Sequence, residues 1–162
     1  MSVEERLAAL EARLQDVDDR EAIREVLNAY NFAADTGDAR GYAETFTENA
    51  VFDMGRARME GRASFENAIA DLEGTHKREI EGKGSMHTVG PVTIRVDGLK
   101  AWAEGPTMVW VRDGAAFKVF TASYNHWDFE KTDGRWAMSH RKARQMSPGK
   151  AVEVWASWRG VR

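Results

Sequence analysis

Cysteine is absent from this chain of 162 residues. Disulfide bonds, thiolate nucleophiles and cysteine-based metal sites are therefore excluded. Long apolar runs are also missing, because Asp, Glu, Arg or Lys interrupts every stretch that could approach the ~20 apolar residues needed to span a bilayer. The amino terminus is acidic and amphipathic, without the basic and apolar regions of a secretion signal. We therefore expect a cytoplasmic protein with no membrane segment.

The sequence also lacks a large excess of either positive or negative charge. Lys and Arg number 23 and Asp and Glu 26, a formal net charge of -3 that is spread along the chain without a basic stripe for phosphates. We therefore expect no nucleic-acid partner. The sequence also lacks His-x-His, His-Glu-x-x-His, a glycine-rich phosphate loop and a Gly-x-Ser-x-Gly elbow. We expect neither a metal ion nor another cofactor.

The residues that are present suit one globular domain, which we assign to residues 1–162. Hydrophobic residues make up 43% of the chain and charged residues 30%. An amphipathic helix is predicted over residues 1–17, because apolar residues recur there at alternating steps of four and three and form a hydrophobic seam along one face. The helix is too short to form a stable isolated coiled coil. We expect this seam to pack on the domain or, as we favour, on a neighbouring subunit. Its members are Val3, Leu7, Leu10, Leu14 and Val17.

Three further helices are predicted after the first. Asp18 and Glu21 have the spacing of a capping box, and a second helix begins there and ends at Gly37. A third helix is predicted over about 39–46. Apolar residues at steps of four and three over 65–72 mark a fourth helix, closed by Gly74.

The pattern changes to period two from Ser85 onward. The turn signals Asp97-Gly98, Asp113-Gly114 and Asp133-Gly134 predict an antiparallel meander with strands over about 85–96, 100–112, 116–130 and 135–146. A short strand over 50–53 and a returning arm over 56–60 are predicted before the meander. Pro91 and Pro106 are expected at bulges or edges of the sheet. A tail over 148–162 follows the meander and carries Trp155 and Trp158. Helices followed by a meander predict an α+β fold: a cone-shaped, curved antiparallel sheet wrapped around the N-terminal helices, with a pocket in its mouth.

Five short motifs resemble those of a known family. They are Asp19-Arg20-Glu21-Ala22-Ile23-Arg24, Tyr30-x-x-x-x-Asp35, Glu48-Asn49-Ala50-Val51-Phe52-Asp53, Gly84-Ser85-Met86-His87 and Asp133-Gly134-Arg135-Trp136. Their order and spacing over residues 19 to about 146 resemble the SnoaL-like branch of the nuclear transport factor 2-like superfamily, which includes scytalone dehydratase, hexachlorocyclohexane dehydrochlorinase and the bile-acid dehydratase. The resemblance implies a cystatin-like α+β barrel and a homo-oligomer, trimer or dimer, that uses the sheet face and the first helix.

The resemblance also implies a set of site residues. In those enzymes an Asp at the end of the long helix pairs with a His at the start of the sheet, positions that correspond here to Asp35 and His87. The helix Tyr of the bile-acid enzyme corresponds to Tyr30, and the last-strand Arg of the dehydrochlorinase to Arg141. Val109 stands near the place where the bile-acid enzyme has an acidic residue, which argues against a steroid substrate.

These residue types suit proton abstraction. Imidazole is the side chain whose unperturbed pKa lies near neutrality, so His87 is the expected base. A carboxylate on its other ring nitrogen, from Asp35, fixes the tautomer and stabilises the imidazolium. Tyr30 and Arg141 would stabilise a leaving oxygen or an enolate. Tyr30 could instead be an ordinary core tyrosine and Arg141 a solvated strand arginine.

Aromatic side chains of the meander suit a hydrophobic or aromatic ligand, although core packing would explain them too. We predict a substrate-binding set of six residues: Asp53, Trp102, Trp110, Phe120, Tyr124 and Asn125. Among the other histidines, His126 and His140 are expected to be structural or on the surface, and His76 to lie in a loop over the mouth of the cone.

The sequence therefore predicts a cofactor-independent lyase, a dehydratase-like enzyme that acts on a small hydrophobic or aromatic molecule through a His-Asp general base. An isomerase or cyclase would use the same first step, and carbon-carbon cleavage beside a hydroxyl is also open. The alternative from another class is a non-catalytic ligand-binding or assembly module, because the fold is shared by such proteins.

Overall fold

The structure, a computed structural model, describes residues 1–149. Helix α1 (Val3–Thr36) begins at a capping box formed by Ser2 and Glu5 and ends at Gly37, whose positive φ of 70° favours glycine. Helix α2 (Ala39–Glu44) follows, with Asp38 accepting a hydrogen bond from the backbone amide of Gly41. Helix α3 (Arg62–Ala70) comes after the first two strands. The predicted tail, with Trp155 and Trp158, lies outside the described residues.

The predicted helix break at Asp18 is wrong, because α1 is continuous. The capping-box spacing of Asp18 and Glu21 stops a helix only if the chain leaves helical geometry there. No Gly or Pro occurs in α1, so nothing at Asp18 forces the chain out of helical geometry. Helix α3 also ends earlier than predicted, at Ala70 instead of near Gly74.

Seven strands form one curved, unclosed sheet in the order β2-β1-β7-β6-β5-β3, with β4 also paired to β5. Their bounds are β1 Phe46–Asp53, β2 Arg58–Glu60, β3 Ser85–Val89, β4 Thr93–Asp97, β5 Lys100–Asp113, β6 Ala116–Thr132 and β7 Arg135–Gln145. The meander of β5, β6 and β7 is antiparallel as predicted. The sheet as a whole is mixed, because β1 runs parallel to β7. This is the α+β architecture that the sequence predicts.

The predicted first strand of the meander is two strands. β3 pairs with the second half of β5 and β4 with its first half, and the chain is interrupted around Gly90 and Pro91. A side chain at Gly90 would lie 2.8 Å from the ring of Pro106, so glycine is required where the two segments approach. Pro91 lies in this interruption and Pro106 lies opposite it on β5, where its carbonyl accepts from the amide of Gly90, in keeping with the lack of a ladder donor at proline.

The core lies between α1 and the inner face of the sheet. Ile23, Leu27 and Tyr30 project from one face of α1, and Trp127, Phe129 and Met138 meet them from β6 and β7. Phe46 and Phe65 stack with ring centroids 4.1 Å apart and close one end. In the described part of the chain, no helix is both long and apolar enough to cross a membrane.

Candidate active site

Two side chains from distant segments form a close pair. Asp35 lies in the last turn of α1, and His87 lies in β3. The Nδ1 atom of His87 is 2.6 Å from Oδ1 of Asp35, and the backbone N–H of His87 donates to Oδ2 at 2.8 Å. Ser85, on the same face of β3 because strand side chains alternate, donates its hydroxyl to Oδ1 at 2.7 Å. Three donors therefore fix one carboxylate.

The charge on Asp35 decides the tautomer of His87. Burial alone would raise the pKa of the Asp35 carboxyl, but the hydrogen bonds from the His87 ring, from Ser85 and from the His87 amide outweigh it, so the pKa lies below its ordinary value. An ionised carboxylate only accepts hydrogen bonds, so Nδ1 carries the proton. The Nε2 atom of neutral His87 is then a free acceptor. His87 lines the cavity and its side chain is 12% exposed.

A second polar cluster surrounds Arg141. The guanidinium of Arg141, on β7, is buried and donates from Nε to Oδ1 of Asn125 at 3.0 Å and from Nη1 to the hydroxyl of Tyr30. Tyr42 also donates its hydroxyl to Tyr30, at 3.1 Å. Since the Tyr30 oxygen accepts both hydrogen bonds, its own proton remains available to a third group.

The positive charge of Arg141 is held by neutral partners. Its two hydrogen bonds go to an amide and a phenol oxygen, and its guanidinium carbon lies 4.4 Å from the ring centroid of Phe52. Burial, together with the neighbouring Tyr30, raises the pKa of Tyr42 well above its ordinary value, so Tyr42 stays a neutral donor. A buried cation with neutral partners favours negative charge on a molecule bound beside it.

Both clusters face one cavity of about 970 Å³. This volume suits a small organic molecule. More of the cavity's surface area is apolar than polar, and the larger apolar residues that line it are Phe52, Met54, Met59, Ile69, Ile80, Met108 and Phe120. The residues expected to act together, His87, Tyr30 and Arg141, thus line the same space, with Asp35 behind His87 and Asn125 buried behind Arg141.

Five of the six predicted substrate-binding residues are not part of the cavity lining, and only Phe120 lines it. Trp102, Trp110 and Tyr124 belong to the alternating positions of β5 and β6 that point to the outer face of the sheet, whereas Val109 and Phe120 line the cavity. The carboxylate of Asp53 is paired with Arg144 at 2.8 Å. That ion pair, aided by the amide of Gly55, lowers the pKa of Asp53 to about 2 despite partial burial. Asn125 contacts Arg141 rather than the cavity space.

Two further residues of the site were not predicted as site residues, although His76 was expected in a loop over the mouth of the cone. His76, in a π-helical turn over His76–Ile80, lines the cavity and lies with its ring centroid 6.2 Å from that of His87. Its Nε2 is 2.8 Å from the carbonyl oxygen of Ala34, and burial together with the neighbouring His87 lowers its pKa. Ser85 is the other. It stands in the same motif as His87, two residues before it, and that spacing was a usable signal.

The remaining histidines lie on the outer face. His126 is 3.0 Å from Glu104 and 3.1 Å from Asp128, and His140 is 3.3 Å from Asp128. Neither histidine lines the cavity. Across residues 1–149, no group of three or more His, Asp or Glu side chains is arranged to hold a metal ion.

Fold and site together define a class: an α+β domain whose curved sheet encloses a small-molecule cavity with a His-Asp pair at its wall. A family model described as the SnoaL-like domain matches residues 15–142. The chain belongs to this SnoaL-like family, as its motifs predicted. No curated protein gives a significant match.

Solved structures agree with the fold. A nuclear transport factor 2-like protein with a cystatin-like fold from Novosphingobium aromaticivorans is 32% identical, with 91% of this chain and 94% of that chain covered and a TM-score of 0.83. A protein of unknown function from Mycobacterium tuberculosis is 21% identical over 81% and 78% of the two chains, with a TM-score of 0.72. A candidate scytalone dehydratase from N. aromaticivorans is 16% identical over 81% and 86%, with a TM-score of 0.65. The last two likenesses concern the fold alone.

Proposed function

We propose that this chain is a cofactor-independent lyase that eliminates water, or a comparable leaving group, from a small hydrophobic or aromatic molecule. The observation that carries the proposal is the 2.6 Å contact between His87 and Asp35 at the cavity wall. The contact directs the free Nε2 of His87 to the space where a substrate would bind. A general base positioned in this way accelerates proton transfer by about 10²–10⁴.

The elimination balances with the groups that are present. Nε2 of His87 takes a proton from a carbon beside a carbonyl or aromatic ring, and the C–H electron pair becomes the new double bond. The C–O bond on the neighbouring carbon breaks, and the leaving hydroxide takes the proton from the imidazolium and departs as water. Asp35 stabilises the imidazolium in the interval. Arg141 and the free proton of Tyr30 stabilise the negative charge that develops on oxygen.

An isomerase or cyclase reaction begins with the same deprotonation and is the second candidate. In that case the carbanion or enolate collects its proton, or a new bond, at another position and nothing leaves. Carbon-carbon cleavage beside a hydroxyl, with release of formaldehyde, is open to the same base. A non-catalytic binding module is the alternative from another class, and it has no need of a carboxylate held by three donors. We also propose that the enzyme is a homo-oligomer, a trimer or a dimer.

A substrate screen tests the proposal. Small alcohols and aryl diols are incubated with the wild type, His87→Ala and, as a matched control, His140→Ala, whose ring lies outside the cavity lining. Loss of water or formaldehyde is followed by mass spectrometry in H₂O and in D₂O. We expect turnover by the wild type and His140→Ala, and a loss of at least about 10² in kcat for His87→Ala.

The outcomes separate the candidates. Deuterium uptake without loss of mass from the substrate indicates the isomerase. Tight binding without turnover or exchange indicates the binding module. Equal turnover by the wild type and His87→Ala removes His87 from the mechanism.

A further inference from the structure

The amino-terminal half of α1 carries a hydrophobic seam that no described residue covers. Residues 1–15 are all exposed, and the first buried residue of the helix is Asp19. At 1.5 Å per residue, about 20 Å of helix precedes that point. All five members of the seam are more than half exposed: Val3, Leu7, Leu10, Leu14 and Val17.

The seam points away from the domain to which the helix belongs. Residues on α1 are about 100° apart, so the face that enters the core at Ile23, Leu27 and Tyr30 lies roughly 160° from the seam. A continuous helix cannot turn both faces toward one sheet. Packing of the seam on the domain itself, one of the two alternatives from the sequence, would therefore require α1 to break.

The charges beside the seam complement a second copy of the same segment. In a heptad frame, Leu7 and Leu14 occupy a positions and the other seam residues d positions. Every g position from Arg6 through Arg13 to Arg20 is basic, and every e position, Glu4, Glu11 and Asp18, is acidic.

These charges also set the direction of pairing. In a parallel pair, each g position faces the following e position of the partner, so Arg6 meets Glu11 of the partner subunit and Arg13 meets Asp18 of the partner subunit. An antiparallel pair would set g against g and e against e. That arrangement would place arginines beside arginines and carboxylates beside carboxylates.

We propose that residues 3–18 of α1 form a parallel coiled coil with the same segment of another copy of this chain. Two heptads are too short to assemble as free peptides, because helix nucleation is costly. Here the helix is already nucleated by its folded half, so only the seam has to associate. Beyond Val17 the same face carries Glu21, Arg24 and Asn28, which ends the apolar contact. Because the core face of α1 is nearly opposite the seam, each domain would lie on the outer side of the paired helices.

Disulfide trapping tests contact and direction together. The chain has no cysteine, so Val17→Cys provides one thiol on the seam and Ala12→Cys one thiol on the opposite side of the same helix. In a parallel coil the two substituted positions 17 are neighbours, within the Cα separation of about 4.4–6.8 Å that a disulfide allows. In an antiparallel coil they lie about 20 Å apart.

We expect Val17→Cys to form a covalent dimer in glutathione redox buffer at micromolar protein and Ala12→Cys to remain largely monomeric on a non-reducing gel. Equal cross-linking of the two variants overturns the proposal. A wild-type chain that sediments as a monomer throughout the micromolar range overturns it as well.

Exchanging the charges beside the seam gives an independent test, because parallel and antiparallel pairing predict opposite changes in association affinity. Arg13→Glu and Asp18→Arg each place like charges across a parallel interface, and neither side chain has a hydrogen bond or ion pair in the structure. We expect each variant alone to associate about ten-fold more weakly than the wild type in sedimentation equilibrium, and a mixture of the two to recover wild-type association. In an antiparallel pair Arg13→Glu would relieve repulsion, so tighter association of that variant contradicts the parallel arrangement.

Discussion

At the scale of single residues, Asp35 does more than neutralise a histidine. Its carboxylate accepts from Ser85, from the backbone amide of His87 and from Nδ1 of the His87 ring. The first two bonds fix the carboxylate to β3, and the third fixes the proton on Nδ1. The free Nε2, on which the proposed reaction depends, is therefore a consequence of the charge on Asp35.

Asp35→Asn should remove the carboxylate that sets the tautomer of His87, while keeping a side chain of nearly the same size. The amide nitrogen of the new side chain would donate to Nδ1, which moves the imidazole proton to Nε2 and leaves no acceptor toward the substrate. We expect kcat on the substrate found by screening to fall by about 10²–10⁴, with little change in KM. Ser85→Ala is the matched control, because it removes one donor and leaves the tautomer intact. If both variants lose kcat equally, Asp35 positions β3 and does not set the tautomer.

The sequence predicted the polar residues of the site better than its walls. Asp35, His87, Tyr30 and Arg141 were all marked by motif position, and the structure brings them to one cavity. Period two cannot tell which face of a strand is concave when both faces carry aromatic residues. Trp102 and Trp110 were for that reason assigned to the ligand, although they lie on the outer face.

At the scale of elements, α1 joins the site to the rest of the fold. Asp19, in the middle of the helix, accepts from the indole N–H of Trp136 at 2.8 Å and from the ammonium of Lys131 at 2.6 Å. Burial acts to raise the pKa of its carboxyl, but these bonds prevail and the pKa lies below its ordinary value. The contact clamps the helix to the β6–β7 hairpin 112 and 117 residues away in sequence.

Replacing Asp19 should loosen this clamp. Asp19→Ala leaves the Trp136 indole without its partner, so we expect the free energy of unfolding to fall by about 2–3 kcal/mol. Glu25→Ala is the control, because Glu25 is an exposed carboxylate of the same helix and lies outside the proposed coiled-coil segment. Urea unfolding of the two variants measures the difference. Equal stabilities would mean that the buried contact contributes nothing net.

Local signals predicted the elements that are made locally. The three Asp-Gly turns are present, with positive φ at Gly98, Gly114 and Gly134, and the antiparallel meander follows from them. The parallel pairing of β1 with β7 joins segments that are far apart in sequence, and no local pattern encodes such a contact. The continuity of α1 was missed for a different reason. The capping spacing of Asp18 and Glu21 does not interrupt a helix that contains no Gly or Pro.

At the scale of the whole molecule, the two faces of the sheet carry different histidine chemistry. The cavity side holds His87 on β3 and, from the π-helical turn, His76, and the outer face of the sheet holds His126 between Glu104 and Asp128. Burial alone would lower the pKa of His126, but hydrogen bonds to Asp128 and Glu104 outweigh it and raise the pKa. For His76, burial prevails and the pKa is lowered. The two rings therefore act on stability in opposite directions as pH changes.

The direction in which His126 changes folding stability with pH follows from its pKa in the folded and unfolded states. Its folded-state pKa lies above the unfolded value of about 6.5, so the folded state holds the proton more tightly. The stabilisation is complete below about pH 6.5 and is lost as pH rises through the higher folded-state pKa. Melting temperatures from pH 5.5 to 8.5 test this. The advantage in melting temperature of the wild type over His126→Gln should be largest at the acid end and shrink as pH rises.

For His76→Gln, the advantage in melting temperature of the wild type should grow as pH rises, because the lowered folded-state pKa of His76 favours the neutral ring. A constant difference for His126→Gln across this range would mean that the ring between Glu104 and Asp128 does not titrate differently in the folded and unfolded chains.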